Sequence, residues 1–356
     1  MKTRGMRRGI EWLVVVLLGL GGCQQGGGKK VVALLLPESK TARYETQDRP
    51  LFEKRIKELC ASCEIIYSNA DQDATKQQSQ AEAALTNGAR VLVLDAVDGA
   101  AAAAIADKAK AQKVPVVSYD RLILGTDAVD YYISFDNERV GKLQGEALLA
   151  TLGGKKDPTV VMINGAPTDN NAKLFKAGAH SVLDGKVTIA KEYDTPDWSP
   201  DKAQDEMTQA LTALGKTRLD GVYAANDGTA GGAIAAMKGA GVKPLPPVTG
   251  QDAEQAAIQR ILTGEQYMTV YKAIKPEAET AAELAILLLE GKPVPADMTR
   301  GKVVNNGKRD VASILLDPVA VTAANVKATV IKDGFWTAEQ ICTQAYAGAC
   351  KAAGLL

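Results

Sequence analysis

From Lys29 onward the chain alternates short, uninterrupted apolar runs with longer segments whose apolar residues recur every three or four positions. The runs Val31–Leu36, Glu64–Tyr67, Val91–Leu94 and Val116–Tyr119 read as strands, and Arg49–Leu59, Gln77–Thr86 and Ala100–Lys110 between them read as helices. Strands without polar alternation are covered on both faces, and a helix after each returns the chain to the same end of the sheet. The pattern therefore predicts a parallel sheet with helices on both sides.

After Tyr131–Asn137 the same grammar begins again. Helices are predicted at Arg139–Ala150, Ala172–Leu183, Asp201–Leu214, Thr229–Gly239 and Glu254–Leu262, with strands at Thr159–Ile163, Val187–Tyr193, Leu219–Ala225 and around Val248. The expected fold class is α/β: two Rossmann-like lobes with parallel sheets. In such sheets ligands bind beyond the carboxyl ends of the strands, where strand ends and helix N-termini present donors to one crevice.

Both lobes deliver polar residues at those ends. The first supplies Lys40, Arg43 and Tyr44 after its first strand, and Asp120 and Arg121 after its fourth. The second supplies Asp169, Asn171, Trp198, Asn226 and Asp252, and Lys272 follows the strand near Thr269. Asp227 or Thr229 is open to a second reading as the cap of the following helix. Trp198, flanked by Pro196 and Pro200, is open to reading as a loop anchor. Carboxylates, an amide and guanidinium forks beside aromatic faces suit a neutral polyol, whose hydroxyls take the polar groups and whose C–H face takes the ring.

The chain opens with Lys2, Arg4, Arg7 and Arg8, then an apolar run Trp12–Leu20, then Leu20-Gly21-Gly22-Cys23. A basic start and a short apolar stretch ending in small residues form a secretory signal too short to span a bilayer. Leu-Gly-Gly-Cys is similar to a bacterial lipobox, which implies cleavage before Cys23 and lipidation of its thiol. Residues 1–22 are then a lipoprotein signal peptide, and 23–30, rich in glycine, a tether.

Charge refines this picture by exclusion, since 42 basic and 42 acidic side chains create no field favouring nucleic acid. Outside the cytosol, the close pairs Cys60 with Cys63 and Cys342 with Cys350 suggest two local disulfides. Cys60-Ala61-Ser62-Cys63 also admits a redox or metal-site reading. Against these stand the single histidine, His180, and the pair's position where a helix ends, with no helix N-terminus to lower a thiol pKa. No nucleophile elbow, His-Glu-x-x-His or phosphate loop occurs, and neither a cofactor nor a metal is expected.

Seven blocks in order carry a family resemblance: Ala42–Tyr44, Ser118–Arg121, Tyr132–Glu138, Asp169–Phe175, Ala224–Ala233, Thr249–Asp252 and Met268–Lys272. On these the chain resembles, from Val31 to Phe335, the periplasmic sugar-binding proteins of ABC importers, and among them most closely those that bind D-xylose. The resemblance implies that Arg43, Tyr44, Asp120, Arg121, Asp169, Asn171, Trp198, Asn226, Asp252 and Lys272 line a monosaccharide site between the lobes. It implies chain crossovers near Asp136, Val270 and Asn306. The first lobe is then 31–137 with 271–306, and the second 138–270 with 307–350, joined by a three-strand hinge. It also implies a membrane permease as partner, a monomeric receptor and no enzymatic activity. The family often has Trp where this chain has Tyr44, and its Gram-negative xylose proteins are soluble, where this chain reads as lipid-anchored.

Four other readings compete. A sensor that presents the sugar to a membrane chemoreceptor or kinase has the same sequence features, and so does a receptor for glucose, galactose or arabinose. A sugar-responsive repressor would carry a helix-turn-helix module where this chain carries the signal peptide. A glycosidase would use two carboxylates such as Asp169 and Asp252.

Overall fold

The computed structural model describes residues 1–2, 29–215 and 218–356. All but the first two residues of the signal peptide, Cys23 and all but the last two residues of the tether lie outside the described residues. Among the described residues no helix is long and apolar enough to cross a membrane.

Strand β1 (Val31–Leu36) is buried along its whole length and sits within a seven-stranded sheet. Its odd and even residues face opposite sides. Val32, Leu34 and Leu36 join one core cluster, and Val31, Ala33 and Leu35 the other. Around it lie β2 (Glu64–Asn69), β3 (Val91–Leu94), β4 (Val116–Tyr119) and β5 (Tyr131–Phe135), in the order β5-β4-β3-β1-β2, all parallel. The connecting helices are α1 (Arg49–Leu59), α2 (Ala74–Thr86) and α3 (Ala103–Ala111). Strand order reverses between β1 and β3, so the loops after these strands splay apart and open a crevice.

The second lobe repeats the device. Strands β6 (Thr159–Asn164), β7 (Thr188–Asp194) and β8 (Gly221–Ala224) pair in the order β7-β6-β8, all parallel. Isolated bridges Val222–Val248 and Gln251–Val270 carry the sheet on to β9 (Thr269–Tyr271). Its helices are α4 (Asn137–Thr151), α5 (Asn170–Leu183), α6 (Pro200–Leu214), α7 (Asp227–Gly239) and α8 (Gln255–Leu262), and α9 (Ile274–Leu289) returns to pack on α1 in the first lobe. Helices α4 and α5 lie against each other so closely that a Cβ on Gly141 would meet the Phe175 carbonyl at 1.9 Å. That approach brings Asn137 Nδ2 to 2.9 Å from Asn171 Oδ1 at the crevice.

The parallel sheets expected for this fold class are present, with an antiparallel strand added to each: β10 (Val303–Asn305) runs antiparallel to β11 (Asp310–Leu316), and β12 (Val319–Val321) antiparallel to β9. One expectation needs correction. The third crossover lies not near Asn306 but between β11 and β12. Strand β11 pairs in parallel with β5, Ile314 opposite Ile133, and so belongs to the first lobe's sheet. Of residues 307–350, β11 therefore belongs to the first lobe, whereas β12 pairs with β9, and Gln255 and Gln259 of α8 donate to the Gln340 and Ile341 carbonyls of the second. Val326, Val330 and Phe335 join a core cluster that draws on both lobes, with Phe52 and Ile56 of the first and Ile258 and Ile261 of the second. The physical reason is that pairing between distant strands satisfies backbone groups whose partners no local pattern reveals. Disulfides join Cys60 to Cys63, with Cα atoms 5.3 Å apart, and Cys342 to Cys350, 5.8 Å apart.

Candidate ligand site between the lobes

The strand-end loops of the two lobes close on a cavity of about 20 Å³, far below the ~300–1,000 Å³ of pockets for drug-sized molecules. All ten residues singled out in the sequence line it, and each is buried. Thr41, Phe175 and Gln251 line it as well. Phe175 stands one helical turn after Asn171 on α5, on the same face, and Gln251 directly precedes Asp252. Those spacings were the available signals for both. Lys40, by contrast, is exposed and does not reach the cavity.

On the first lobe the side chains are held by ion pairs. A five-residue π-helical turn, Tyr44–Asp48, sets Asp48 beneath Arg43. Asp48 takes a forked pair of hydrogen bonds from Arg43 Nε at 3.0 Å and Nη2 at 2.7 Å. Glu277 of α9 accepts a third at 3.2 Å. This leaves Arg43 Nη1 without a hydrogen bond, 3.6 Å from Asp120 Oδ1 and 3.8 Å from Asp252 Oδ1. The Tyr44 hydroxyl donates to Asp120 Oδ2 at 3.1 Å and accepts from Arg121 Nη2 at 3.3 Å.

On the second lobe the polar side chains double as helix caps. Asp169 Oδ1 accepts from the Asn171 backbone N–H at 2.8 Å and caps α5, while Oδ2 accepts from the Trp198 indole at 3.1 Å and lies 3.0 Å from Arg121 Nε across the cleft. Asn226, not Asp227, caps α7: its Oδ1 accepts from Thr229 N and the Thr229 hydroxyl accepts from Asn226 N, a reciprocal box. Asp227 is buried behind the cavity, where it accepts from Gln266, Thr269 and the Glu254 N–H. Asn171 donates to the Asp120 carbonyl at 2.9 Å, a second bond across the cleft.

Lys272 lies at the second crossover, its Nζ 3.0 Å from Asp252 Oδ1 and 3.9 Å from Asp120 Oδ1. Three lining residues, Asp120, Trp198 and Asp252, have left-handed backbone with φ of 53°, 52° and 91°. For non-glycine residues such conformations cost about 1–3 kcal/mol each, and they collect where side chains must be aimed against local preference.

The charges are strongly biased by their surroundings. Burial alone would raise the Asp120 carboxyl, but Arg43, Lys272 and Arg121 outweigh it and hold it down at about 2. Burial dominates at Asp169, which is raised in spite of Arg121, and at Asp95 and Glu277, both pushed well up. Arg43 Nη1, Arg121 Nε, Asp120 Oδ1 and Asp252 Oδ1 are sealed from solvent without hydrogen-bond partners. Buried polar groups are rarely left so. Donors and acceptors converging from two lobes, with Tyr44, Phe175 and Trp198 as apolar walls, form a receptacle for a small, uncharged, hydroxyl-rich solute.

Comparison with known proteins agrees with that geometry. Residues 32–293 match the family model described as a periplasmic binding protein domain. The chain is 38% identical over 315 residues to the D-xylose-binding periplasmic protein of Haemophilus influenzae, covering 87% of this chain and 91% of that one. It is 36% identical over 331 residues to the multiple sugar-binding periplasmic protein SbpA of Azospirillum brasilense, covering 88% and 92%. Among solved structures, an ABC transporter solute-binding protein from Clostridium phytofermentans with bound β-D-glucose superposes with a TM-score of 0.80 at 32% identity, covering 88% of this chain and all of that one.

Proposed function

The chain belongs to the periplasmic binding protein family, and from that premise we propose that it is an extracytoplasmic receptor that binds one monosaccharide between its lobes and hands it to an ABC importer. D-xylose is the ligand we infer, on the strength of the relatives named for it at 38% and 39% identity. D-glucose, present in the similar solved structure, is the competing aldose. Cys23 is proposed to carry a lipid that tethers the receptor to the membrane.

The observation that carries this reading is the set of sealed polar atoms that both lobes supply to one cavity, held in ion pairs but without hydrogen bonds of their own. A sugar's hydroxyls accept from Arg43 and Arg121 and donate to Asp120 and Asp252, and aromatic walls take its C–H faces. Because the contacts come from both lobes, the sugar favours the closed arrangement over an open one. Proton transfer is not part of this scheme, and the sugar leaves unchanged.

The test is equilibrium dialysis against xylose, glucose, galactose, arabinose and ribose, followed by chromatography of the released sugar. Recovery of about one unaltered xylose per chain is expected. Retention of none of the five, or conversion of the sugar into another compound, overturns the proposal. For the anchor, Cys23→Ser should move the protein from the membrane fraction to the soluble one; an unchanged distribution refutes the lipid.

A further inference from the structure

Trp198 is seated against bare backbone. Gly165 follows β6 and is buried. A Cβ built on it would lie 2.0 Å from the indole Cη2, 2.3 Å from Cζ2 and 2.5 Å from Cζ3, where ordinary contact begins at 3.4 Å. Trp198 lines the cavity and Gly165 does not, so the indole stands between them. The opposite edge of the indole is pinned, since its N–H donates to Asp169 Oδ2 at 3.1 Å and its backbone is held left-handed at φ 52°. Phe175 packs edge-on, with ring centroids 6.3 Å apart.

From this geometry we propose that Gly165 is a specificity-determining residue: by lacking a side chain it sets how far the Trp198 ring stands back, and so how bulky a sugar the cavity admits. A methyl group at 165 has to displace the six-membered ring of the indole. The packed interior around Trp198 does not yield, and the cavity is the adjoining free space, so the ring pivots on its hydrogen bond to Asp169 and swings into the ligand's volume. A sugar with an exocyclic hydroxymethyl group loses more than one without it, because one carbon of misfit in a close pocket is worth about 10–200-fold in discrimination. The inference rests on the monosaccharide reading of the cavity.

The experiment compares wild type, Gly165→Ala, Trp198→Phe and the double variant, with xylose and glucose as probes and melting temperature measured alongside. Phenylalanine lacks the three atoms that a Cβ at 165 strikes. Gly165→Ala is expected to weaken the better-bound sugar at least about tenfold and to weaken glucose more than xylose. In the Trp198→Phe background the same change should alter affinity by less than about twofold and leave the melting temperature in place. If Gly165→Ala does not fold, a double variant that folds and matches Trp198→Phe still supports the proposal. An equal cost in both backgrounds, wild-type affinity in Gly165→Ala, or an unchanged xylose-to-glucose ratio overturns it. Wild type that binds neither sugar nor any other aldose defeats instead the monosaccharide reading.

Discussion

The two walls of the cavity are built on different physics. The first lobe presents charged groups fixed by other buried charges: Arg43 is clamped by Asp48 and Glu277, and Tyr44 bridges Asp120 and Arg121. The second lobe presents groups fixed by the ends of its own helices, with Asp169 capping α5 and Asn226 capping α7. The first arrangement depends, apart from Asp48, on partners far apart in sequence, and the second on neighbours two or three residues away. On the first wall, removing one residue strands a buried charge. On the second, it frees a helix end and a ligand contact together.

The largest effect should come from the first wall. Arg43→Ala leaves Asp48, Asp120 and Glu277 without their shared cation, and breaking a buried ion pair from one side costs about 3–5 kcal/mol. Urea denaturation should show a loss of that size, whereas a loss below about 1 kcal/mol would mean that the first wall is not held by this network. Next in size is Asp252→Ala, which removes charge-assisted hydrogen bonds worth roughly 1.5–3 kcal/mol. Sugar affinity should fall at least about tenfold, against an exposed control, Asp205→Ala, that changes neither binding nor stability.

A smaller effect, divided between two readouts, is expected on the second wall. Asn226→Ala should lose about 1 kcal/mol of stability through the cap of α7 and should weaken sugar binding as well. Loss of binding with unchanged stability would place Asn226 in the ligand's contacts alone and erase the contrast between the walls. The smallest effect concerns pH. Burial, reinforced by Asp227 and Asp252, pushes the Glu254 carboxyl up to about 8, whereas an unfolded Glu titrates at about 4.3. The folded state then binds the proton more tightly, so this group makes stability fall as pH rises from about 4.3 towards 8 and level off above it. Denaturation midpoints of Glu254→Gln between pH 5 and 8 should show a shallower decline than wild type; the same slope in both would remove Glu254 as its source.

What was legible in the chain divides along the same line. Strands such as Val31–Leu36 and Val91–Leu94 announce themselves because a fully buried strand has to be apolar throughout, and polar residues just beyond them mark the ligand edge. Asp169 and Asn226 could be located at strand ends followed by helices, but nothing in the order Asn226-Asp227 marks which of the two caps α7. The pairing of β11 with β5 had no local sign, and neither did the clamp on Arg43 by Glu277 of α9. The left-handed backbone that aims Asp120, Trp198 and Asp252 was equally hidden, because these residue types do not demand it. Gly165 carries no sign of its role either, because the indole that lies on it comes from Trp198, 33 residues later.

Calorimetric titration of the purified receptor with D-xylose, repeated on Asp252→Ala, tests most directly that this closed cavity is a sugar site. Saturable binding of about one sugar per chain is expected for wild type, with affinity lower by at least about tenfold in the variant. No heat of binding with xylose or with any other aldose, or equal affinity in the two proteins, would contradict it.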